Sequence, residues 1–260
     1  MADKPGRNRY AQVASELRAE ILGGRLPSGV ALPSEARLAT QYAASRDVIR
    51  SALAVLRAEG LISTIKGGST YIRDRRAVRL ALSQYGHTLH AGPPGPFNTA
   101  ARACGLVGGV HVVRVDRRPA DASTASRLGI AEGVEVVVRV RHMRLGDVEP
   151  ETVQVSTSTI PLTLVEGSPL ATSNTGTRVY AAFLELGIVP TTMTEEVSAR
   201  MPTPDEAETL GLVSGQPVLV VERVTRDARG RSIELVQVVA TADRTTLVYD
   251  DLPITPLANG

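Results

Sequence analysis

Two arginines, Arg46 and Arg50, lie four residues apart in a segment whose apolar residues recur at helical spacing. Residues four apart share one face of a helix, so both guanidinium groups would project from the same side. A guanidinium can donate two hydrogen bonds to a guanine edge or bind a phosphate, whereas on most helices such a pair is simply a solvated surface. The two arginines therefore indicate either a nucleic-acid contact or an exposed helix face.

The segments around the two arginines predict a helix-turn-helix. Apolar residues at helical spacing indicate a first helix over residues 10–22, which a glycine pair ends. Ser34 and Ser45 can each cap a following helix by accepting a hydrogen bond from a backbone N–H of its first turn, and Gly60 fits the end of the third helix. Two short helices joined by a few residues, the second bearing the arginines, can place that second helix in a DNA groove.

A hairpin is predicted directly after the third helix. The string LISTIKGGSTYI, residues 61–72, has two β-prone runs around Lys66, Gly67 and Gly68. A glycine tip lets the backbone approach phosphates closely, and the lysine adds positive charge. Such a hairpin is a wing that can lie in or over the minor groove.

The charge of the chain is divided between its two parts. Residues 1–76 contain 13 Lys and Arg against 7 Asp and Glu, whereas residues 77–260 contain 16 against 20. A basic first part joined to an acidic remainder is typical of a protein in which one module faces a polyanion. The division favours the nucleic-acid interpretation of the arginine pair.

Length and composition exclude several classes of protein. The 260 residues suffice for one large or two modest domains, and 43% of them are hydrophobic. No apolar run approaches the roughly 18 residues of a membrane-spanning helix, and the polar start MADKPGRNRY lacks the apolar core of a secretory signal, so we expect a cytoplasmic protein with no membrane partner. Cys104 is the only cysteine, which excludes an internal disulfide and a multi-cysteine metal site.

Four motifs follow one another in the first part of the chain: LPSE, SRDVIR, EGLI and the glycine-tipped hairpin. In this combination, over roughly residues 9–73, the chain resembles the winged helix-turn-helix of the GntR family of bacterial transcription regulators. The resemblance implies double-stranded operator DNA as a partner.

The resemblance also implies roles for individual residues. Arg46 and Arg50 would contact bases or phosphates, Gly67 would be the contact at the wing tip, and the two capping serines would position the backbone. Many members carry arginine directly after LPSE, where this chain has Ala36 followed by Arg37. The candidate DNA contacts are Ser34, Arg37, Ser45, Arg46, Arg50, Lys66, Gly67, Gly68 and Thr70.

The second part of the chain contains an internal repeat. Several of its residues recur 82 residues later: Leu128, Gly129, Gly133, Val136, Arg141 and Arg144. The segment from Glu151 to Val155 recurs 83 residues later, so that Glu151 aligns with Glu234. Each copy runs helix, glycine stop, alternating strand, hairpin and alternating strand, which predicts one antiparallel sheet with quasi-two-fold symmetry and helices on one face, an α+β fold.

The boundaries of the parts are read from composition. Residues 77–97 include the string AGPPGPF, which is typical of a linker. We therefore predict a winged helix-turn-helix over residues 1–76, a linker over 77–97 and a sheet domain over 98–255. Within that domain, Thr203 and Glu206 form the pattern of a capping box at the start of the second copy.

A second arginine pair lies in the sheet domain. In the strand over residues 134–145, alternation places Arg139 and Arg141 on one face. Two arginines on one strand face can hold a phosphate or carboxylate through paired hydrogen bonds. The alternative is that they form cross-strand ion pairs with Glu151 or Glu222.

The sheet domain also carries a resemblance, through the segments ASRLGIAEGVEVVVRVRHMR, QVSTSTIP, YAAFLELG and GRSIELVQVVATADR. These resemble the UTRA effector-binding domain of the HutC subfamily of GntR regulators. The resemblance implies a chorismate-lyase-like fold, a homodimer and a small-molecule effector. By position, the effector-binding residues are Arg139, Arg141, Ser156, Ser158 and Glu234.

These observations together predict a metabolite-responsive, homodimeric DNA-binding regulator, with a repressor that binds an inverted-repeat operator as the leading hypothesis. The alternatives are a ligand-independent repressor whose second part only dimerises, and a chorismate-lyase-like enzyme. No catalytic motif supports the enzyme, and no cofactor is predicted. His87 and His90 lack a nearby third ligand, so we predict no metal site.

Overall fold

The computed structural model of the chain describes residues 5–64, 69–73, 76–81, 95–147, 150–172, 178–212 and 215–250. The chain divides after Arg76 into two compact units. The second unit is built from Ala77–Gly211 and Pro217–Gly260.

The described residues of the first unit form three helices and a two-stranded hairpin. They are α1 (Pro5–Leu22), α2 (Glu35–Gln41), α3 (Arg46–Ala58), β1 (Ile62–Thr64) and β2 (Thr70–Ile72). The two strands pair antiparallel, with Ile62 opposite Ile72. The core gathers apolar side chains from every element, including Val13, Leu17, Leu38, Ile49, Leu56 and Ile72. The predicted helix-turn-helix and the strands of the wing are confirmed, and the first helix begins earlier than expected, at Pro5.

The described residues of the second unit form the strands β3 (Val78–Ala81), β4 (Gly108–Pro119), β5 (Glu135–Leu145), β6 (Glu151–Pro161), β7 (Pro190–Arg200), β8 (Val218–Asp227), β9 (Ser232–Thr241) and β10 (Thr245–Val248). Six of them form one antiparallel sheet in the order β4-β5-β6-β9-β8-β7, and β3 and β10 form a separate pair. Its helices are α4 (Pro96–Ala103), α5 (Ala122–Leu128), α6 (Leu162–Val165), α7 (Pro169–Thr172), α8 (Val179–Glu185) and α9 (Pro204–Thr209). The predicted α+β class is confirmed.

Helices cover both faces of the sheet, whereas the sequence interpretation placed them on one face. Val136 and Val138 pack with Leu128 of α5. Val137, which points the opposite way, packs with Leu170 and Phe183 beneath α6 to α8. The one-face expectation was wrong because β5 is apolar at successive positions, so burying it requires a layer on each side.

The pairing of the strands corrects the register of the internal repeat. Met143 and Thr225 are equivalent at an offset of 82, and each precedes a bulge. Met143 pairs with Gln154, and Thr225 pairs with Glu234. Gln154 is therefore the equivalent of Glu234, and the alignment of Glu151 with Glu234 was wrong. The offset falls from 82 to 80 because ten residues lie between Met143 and Gln154, whereas eight lie between Thr225 and Glu234.

The predicted linker over residues 77–97 also needs correction. Residues 78–81 form β3, which pairs parallel with β10, and Pro96 begins α4. Val78 and Leu80 are buried together with Phe97. Apolar burial thus draws both ends of the predicted linker into the second unit, and residues 82–94, including His87 and His90, lie outside the described part of the chain.

The start of α9 gives a pH-dependent prediction. The Glu206 carboxylate accepts hydrogen bonds from Arg200, at 2.6 and 2.7 Å, and from the backbone N–H of Thr203, at 2.8 Å. The Arg200 bonds, followed by those from Thr203, lower the pKa of Glu206 from 4.5 to about 2. A lowered pKa in the folded state stabilises the protein above the unfolded pKa, and this contribution is lost as pH falls from about 4.5 towards 2.

We expect Glu206→Gln to be destabilising at pH 7 and to match the parent near pH 2. Urea denaturation between pH 2 and pH 7 measures this difference. Glu208→Gln, in the exposed part of the same helix, is the control and should show no such pH dependence. A Glu206→Gln deficit that stays constant over the whole range contradicts the assignment.

Candidate functional sites

The recognition surface is the outer side of α3. Ile49, Ala52, Leu53 and Leu56 of this helix are buried. Arg46 and Arg50 lie on the opposite side and are exposed, with 64% of the Arg50 side chain accessible. Both guanidinium groups are therefore available to a ligand as large as a DNA duplex.

The two serines cap the helices as their positions predict. Ser34 Oγ accepts from the N–H of Arg37, and Ser45 Oγ accepts from the N–H of Val48, both at 3.3 Å. In the turn between α2 and α3, Ala43 adopts a positive φ of 46°, which lets the chain reverse within a few residues. The caps and the turn fix where α3 begins and so where Arg46 is presented.

Loss of the second cap should destabilise the first unit. We expect Ser45→Ala to lower the free energy of unfolding by about 0.5–2 kcal/mol because the N–H of Val48 loses its acceptor. Urea denaturation followed by circular dichroism measures the change. Ser51→Ala, at an exposed position inside α3, is the matched control and should change the free energy by less than about 0.5 kcal/mol. Equal effects of the two variants would contradict the capping role.

The remaining candidate DNA contacts are placed unevenly. Arg37 is exposed on α2, and Thr70 is half-buried at the start of β2. Lys66, Gly67 and Gly68 lie outside the described residues. Among the residues that the structure describes, neither Arg37 nor Arg46 makes an ion pair.

Arg50 differs from its neighbours because two carboxylates flank it. Its Nη2 lies 3.6 Å from Glu35 Oε2, and its Nη1 lies 3.5 Å from Asp47 Oδ1. This arrangement was not predicted from the sequence. The Asp47 contact could have been found from the helical i, i+3 spacing, whereas the Glu35 contact depends on how α2 packs against α3.

The five predicted effector-binding residues come together on one face of the sheet. Arg139 pairs in register with Ser158, and Arg141 pairs with Ser156. Arg141 Nη2 donates to Ser156 Oγ at 3.2 Å, and Ser158 Oγ donates to Glu234 Oε1. All except Arg141 are almost fully buried.

Burial gives this cluster unusual electrostatics. Arg139 Nη1 donates to the carbonyl of Leu170 at 2.6 Å, so α7 covers the guanidinium. Burial, followed by the charge of Arg141, lowers the pKa of Arg139, and the charge of Glu234 opposes the change. Within the described part of the chain, Glu234 Oε2 and Arg141 Nε are buried without a hydrogen-bond partner. Buried polar atoms left in this state are positions at which a ligand can supply the missing hydrogen bonds.

The carboxylates of the alternative cross-strand pairing are engaged by other arginines. Glu222 accepts from Arg127, and Glu151 accepts from Arg244 at 2.8 Å. Both carboxylates therefore have their own cationic partners.

Only one half of the pseudo-symmetric sheet carries the cluster. At the corrected offsets, the counterparts of Arg139, Ser156 and Ser158 are Val221, Val236 and Val238. The counterpart of Arg141 is Arg223, which donates to Glu195 through Nε at 2.6 Å. The equivalent region of the second copy is therefore apolar apart from an arginine that is paired with a carboxylate. Within the described residues, the polar cluster occurs in the first copy alone.

Two further polar contacts lie on the same face and were not predicted from the sequence. One is the ion pair of Arg223 with Glu195, and the other is made by Tyr180. Tyr180 of α8 shares a hydrogen bond of 2.8 Å with Thr225, which pairs in register with Glu234. The position of Arg223 could have been inferred from its alignment with Arg141 in the repeat. The contact of Tyr180 could not be inferred in this way, because α8 belongs to neither of the repeated hairpins.

Other kinds of site find little support in the described residues. Within them, no group of three or more His, Cys, Asp and Glu side chains could hold a metal ion. His111 and His142 are register partners on β4 and β5. None of the helices described is both long and apolar enough to cross a membrane.

Comparisons with known proteins find matches for both parts of the chain. Residues 9–72 match the bacterial regulatory proteins of the gntR family, and residues 103–246 match the UTRA domain. The chain is 31% identical to the HTH-type transcriptional regulator Rv0792c of Mycobacterium tuberculosis, over 86% of this chain and 79% of that protein. It is 27% identical to the HTH-type transcriptional repressor NagR of Bacillus subtilis, over 92% and 93%.

Solved structures show the same fold. The crystal structure of PhnF from Mycobacterium smegmatis superposes with a TM-score of 0.59 at 24% identity, over 95% of this chain and all of that one. The matched proteins are named for regulation of transcription and not for an enzymatic activity. The chain therefore belongs to the gntR family of bacterial regulatory proteins, as a transcriptional regulator with a UTRA domain behind its helix-turn-helix.

Proposed function

We propose that this chain is a homodimeric repressor of the HutC type, which acts in the cytoplasm on an inverted-repeat operator and responds to a small anionic metabolite. The observation that carries the DNA-binding part is the position of Arg46 and Arg50, exposed on the side of α3 that faces away from the core. A buried pair could not reach a duplex.

On DNA, α3 enters the major groove and the wing lies at the adjacent minor groove. Arg46 and Arg50 then contact base edges or phosphates from the helix, while Lys66, Gly67 and Gly68 contact the backbone from the wing. The capping residues Ser34 and Ser45, together with Arg37 and Thr70, complete the proposed interface. Two such units in a dimer dock at half-sites of opposite orientation, which gives the operator its inverted repeat.

The effector binds on the sheet face that carries Arg139, Arg141, Ser156, Ser158 and Glu234. Two arginines and two hydroxyls can hold a phosphate or carboxylate, and the buried Glu234 carboxylate can accept a donor from the rest of the ligand. The ligand alters DNA affinity only if it binds two arrangements of the dimer unequally, and coupling of about 1–3 kcal/mol is typical.

Footprinting upstream of this protein's own gene and of its neighbours tests the proposal. We expect a protected inverted repeat, and we expect a substrate of a neighbouring gene product to release the protein from it. A uniform cleavage pattern at all of these regions would contradict the operator. If the operator is protected but no substrate of a neighbouring gene product releases the protein, the result would support a repressor and contradict the proposed response to an effector.

A further inference from the structure

On the recognition surface, Arg50 forms ion pairs with carboxylates from two different helices. Glu35 belongs to the first turn of α2, and Asp47 belongs to the first turn of α3. With N···O distances of 3.6 and 3.5 Å, both acids lie within ion-pair range of the same guanidinium. The group of three carries a net charge of −1, although it lies on the surface that would approach a polyanion.

The positions of both acids are fixed by the local structure. The Ser34 cap sets the start of α2 directly before Glu35, and the Ser45 cap sets the start of α3 two residues before Asp47. Acidic side chains in the first turn of a helix also stabilise it through the helix macrodipole, and this effect alone would explain why Glu35 and Asp47 are acidic. It does not explain why both converge on Arg50 while Arg46, one turn earlier on the same helix, has no ion pair among the described residues.

Ion pairing changes what each arginine can do at DNA. A guanidinium without a carboxylate partner binds any phosphate it meets, which adds affinity for every sequence alike. A guanidinium already flanked by carboxylates gains less from a phosphate, because the acids repel the backbone. It can still donate directed hydrogen bonds to a guanine edge, where the acceptors carry no full charge.

We propose that Glu35 and Asp47 are specificity-determining residues that hold Arg50 for base reading and oppose non-specific attachment to the DNA backbone. Arg46 and Arg37 then supply the sequence-independent attraction. This inference rests on the proposed DNA-binding function and assigns it a division of labour among the arginines.

Glu35→Gln and Asp47→Asn test the proposal in the full-length protein. Each amide keeps the size of the side chain and removes one negative charge. The probes are a duplex selected from a random-sequence library by the parent protein and a scrambled duplex of the same length and composition. Fluorescence anisotropy at several salt concentrations gives the affinity for each duplex, and circular dichroism confirms that the variants are folded.

We expect each variant to bind the scrambled duplex about 3- to 10-fold more tightly at 0.1 M salt, as the removal of one repelling charge predicts. The selected duplex should change less than the scrambled one, so the ratio of the two affinities falls. Glu16→Gln is the matched control, because it removes one charge from an exposed position of α1 where Gln12 is the hydrogen-bond partner.

Equal changes on both duplexes, or changes no larger than those of Glu16→Gln, would overturn the inference. So would an unchanged affinity ratio in both variants. If the parent protein selects no sequence from the library, the proposed function itself fails, and the two failures are therefore distinguishable.

Discussion

The double variant Arg46→Ala/Arg50→Ala should bind the operator at least about 5- to 150-fold more weakly than the parent protein. The paired contact of Arg50 to a base contributes about 1–3 kcal/mol, and loss of the attraction between Arg46 and the phosphates weakens binding further. Both side chains are exposed on α3, and neither belongs to the core of the first unit. The free energy of unfolding should therefore change little.

Fluorescence anisotropy with the selected operator measures this loss. Arg117→Ala/Arg118→Ala is the matched control, because it removes two exposed arginines from β4 of the second unit. The control should stay within about threefold of the parent, since the proposed DNA contacts all belong to the first unit. If the α3 variant also stays within threefold, the recognition surface lies elsewhere on the chain.

Replacement of Arg139 by alanine should abolish the response to the effector while operator binding persists. The guanidinium is fully buried beside Ser158 and Arg141, and loss of a buried charge that pairs with a ligand costs about 2–5 kcal/mol, or about 30- to 5,000-fold in ligand affinity. The measurement is release of the operator as the metabolite is titrated, together with calorimetric binding of the same metabolite.

The pseudo-symmetric half of the sheet offers a control for this variant. Arg223→Met/Glu195→Leu removes a buried arginine together with its carboxylate, and removal of both partners of a buried pair is tolerated better than removal of one. We expect this double variant to retain the effector response. If the control loses the response and Arg139→Ala keeps it, the effector binds in the other half of the sheet and the proposed site is wrong.

Local chemistry explains which parts of the fold could be predicted. Ser34, Ser45 and Thr203 each cap a helix by accepting a hydrogen bond from a backbone N–H three residues away, so their roles are visible in short strings. The exposure of Arg46 and Arg50 follows from the period of the helix and the apolar stripe opposite them.

Long-range pairing explains what the sequence did not reveal. The parallel pairing of Val78 with Thr245 joins strands more than 160 residues apart, and no local pattern specifies it. The misaligned repeat had the same cause, because the register of Gln154 and Glu234 depends on hairpin length and bulges. The second layer of helices, by contrast, could have been predicted, because the successive valines of β5 place apolar side chains on both faces of the sheet.

The candidate effector pocket was predicted in part. Alternation placed Arg139 and Arg141 on one face, and the resemblance to the UTRA domain supplied Ser156, Ser158 and Glu234. The cover over Arg139 could not be predicted, because it is a backbone carbonyl of Leu170 in a four-residue helix. A carbonyl exists at every residue, so sequence carries no signal for the one that is used.

The salt dependence of operator binding by the parent protein tests most directly whether α3 is the DNA-reading element. A positively charged surface that neutralises several phosphates predicts a straight line of log affinity against log salt concentration, with a slope of about −0.9 for each phosphate contacted. We expect a slope of about −4 or steeper between 50 and 300 mM KCl, reduced in magnitude by about 1 in Arg46→Ala/Arg50→Ala because the phosphate contact of Arg46 is lost. A flat line for the parent protein, or the same slope in both proteins, would contradict the assignment of α3 as the DNA-reading element.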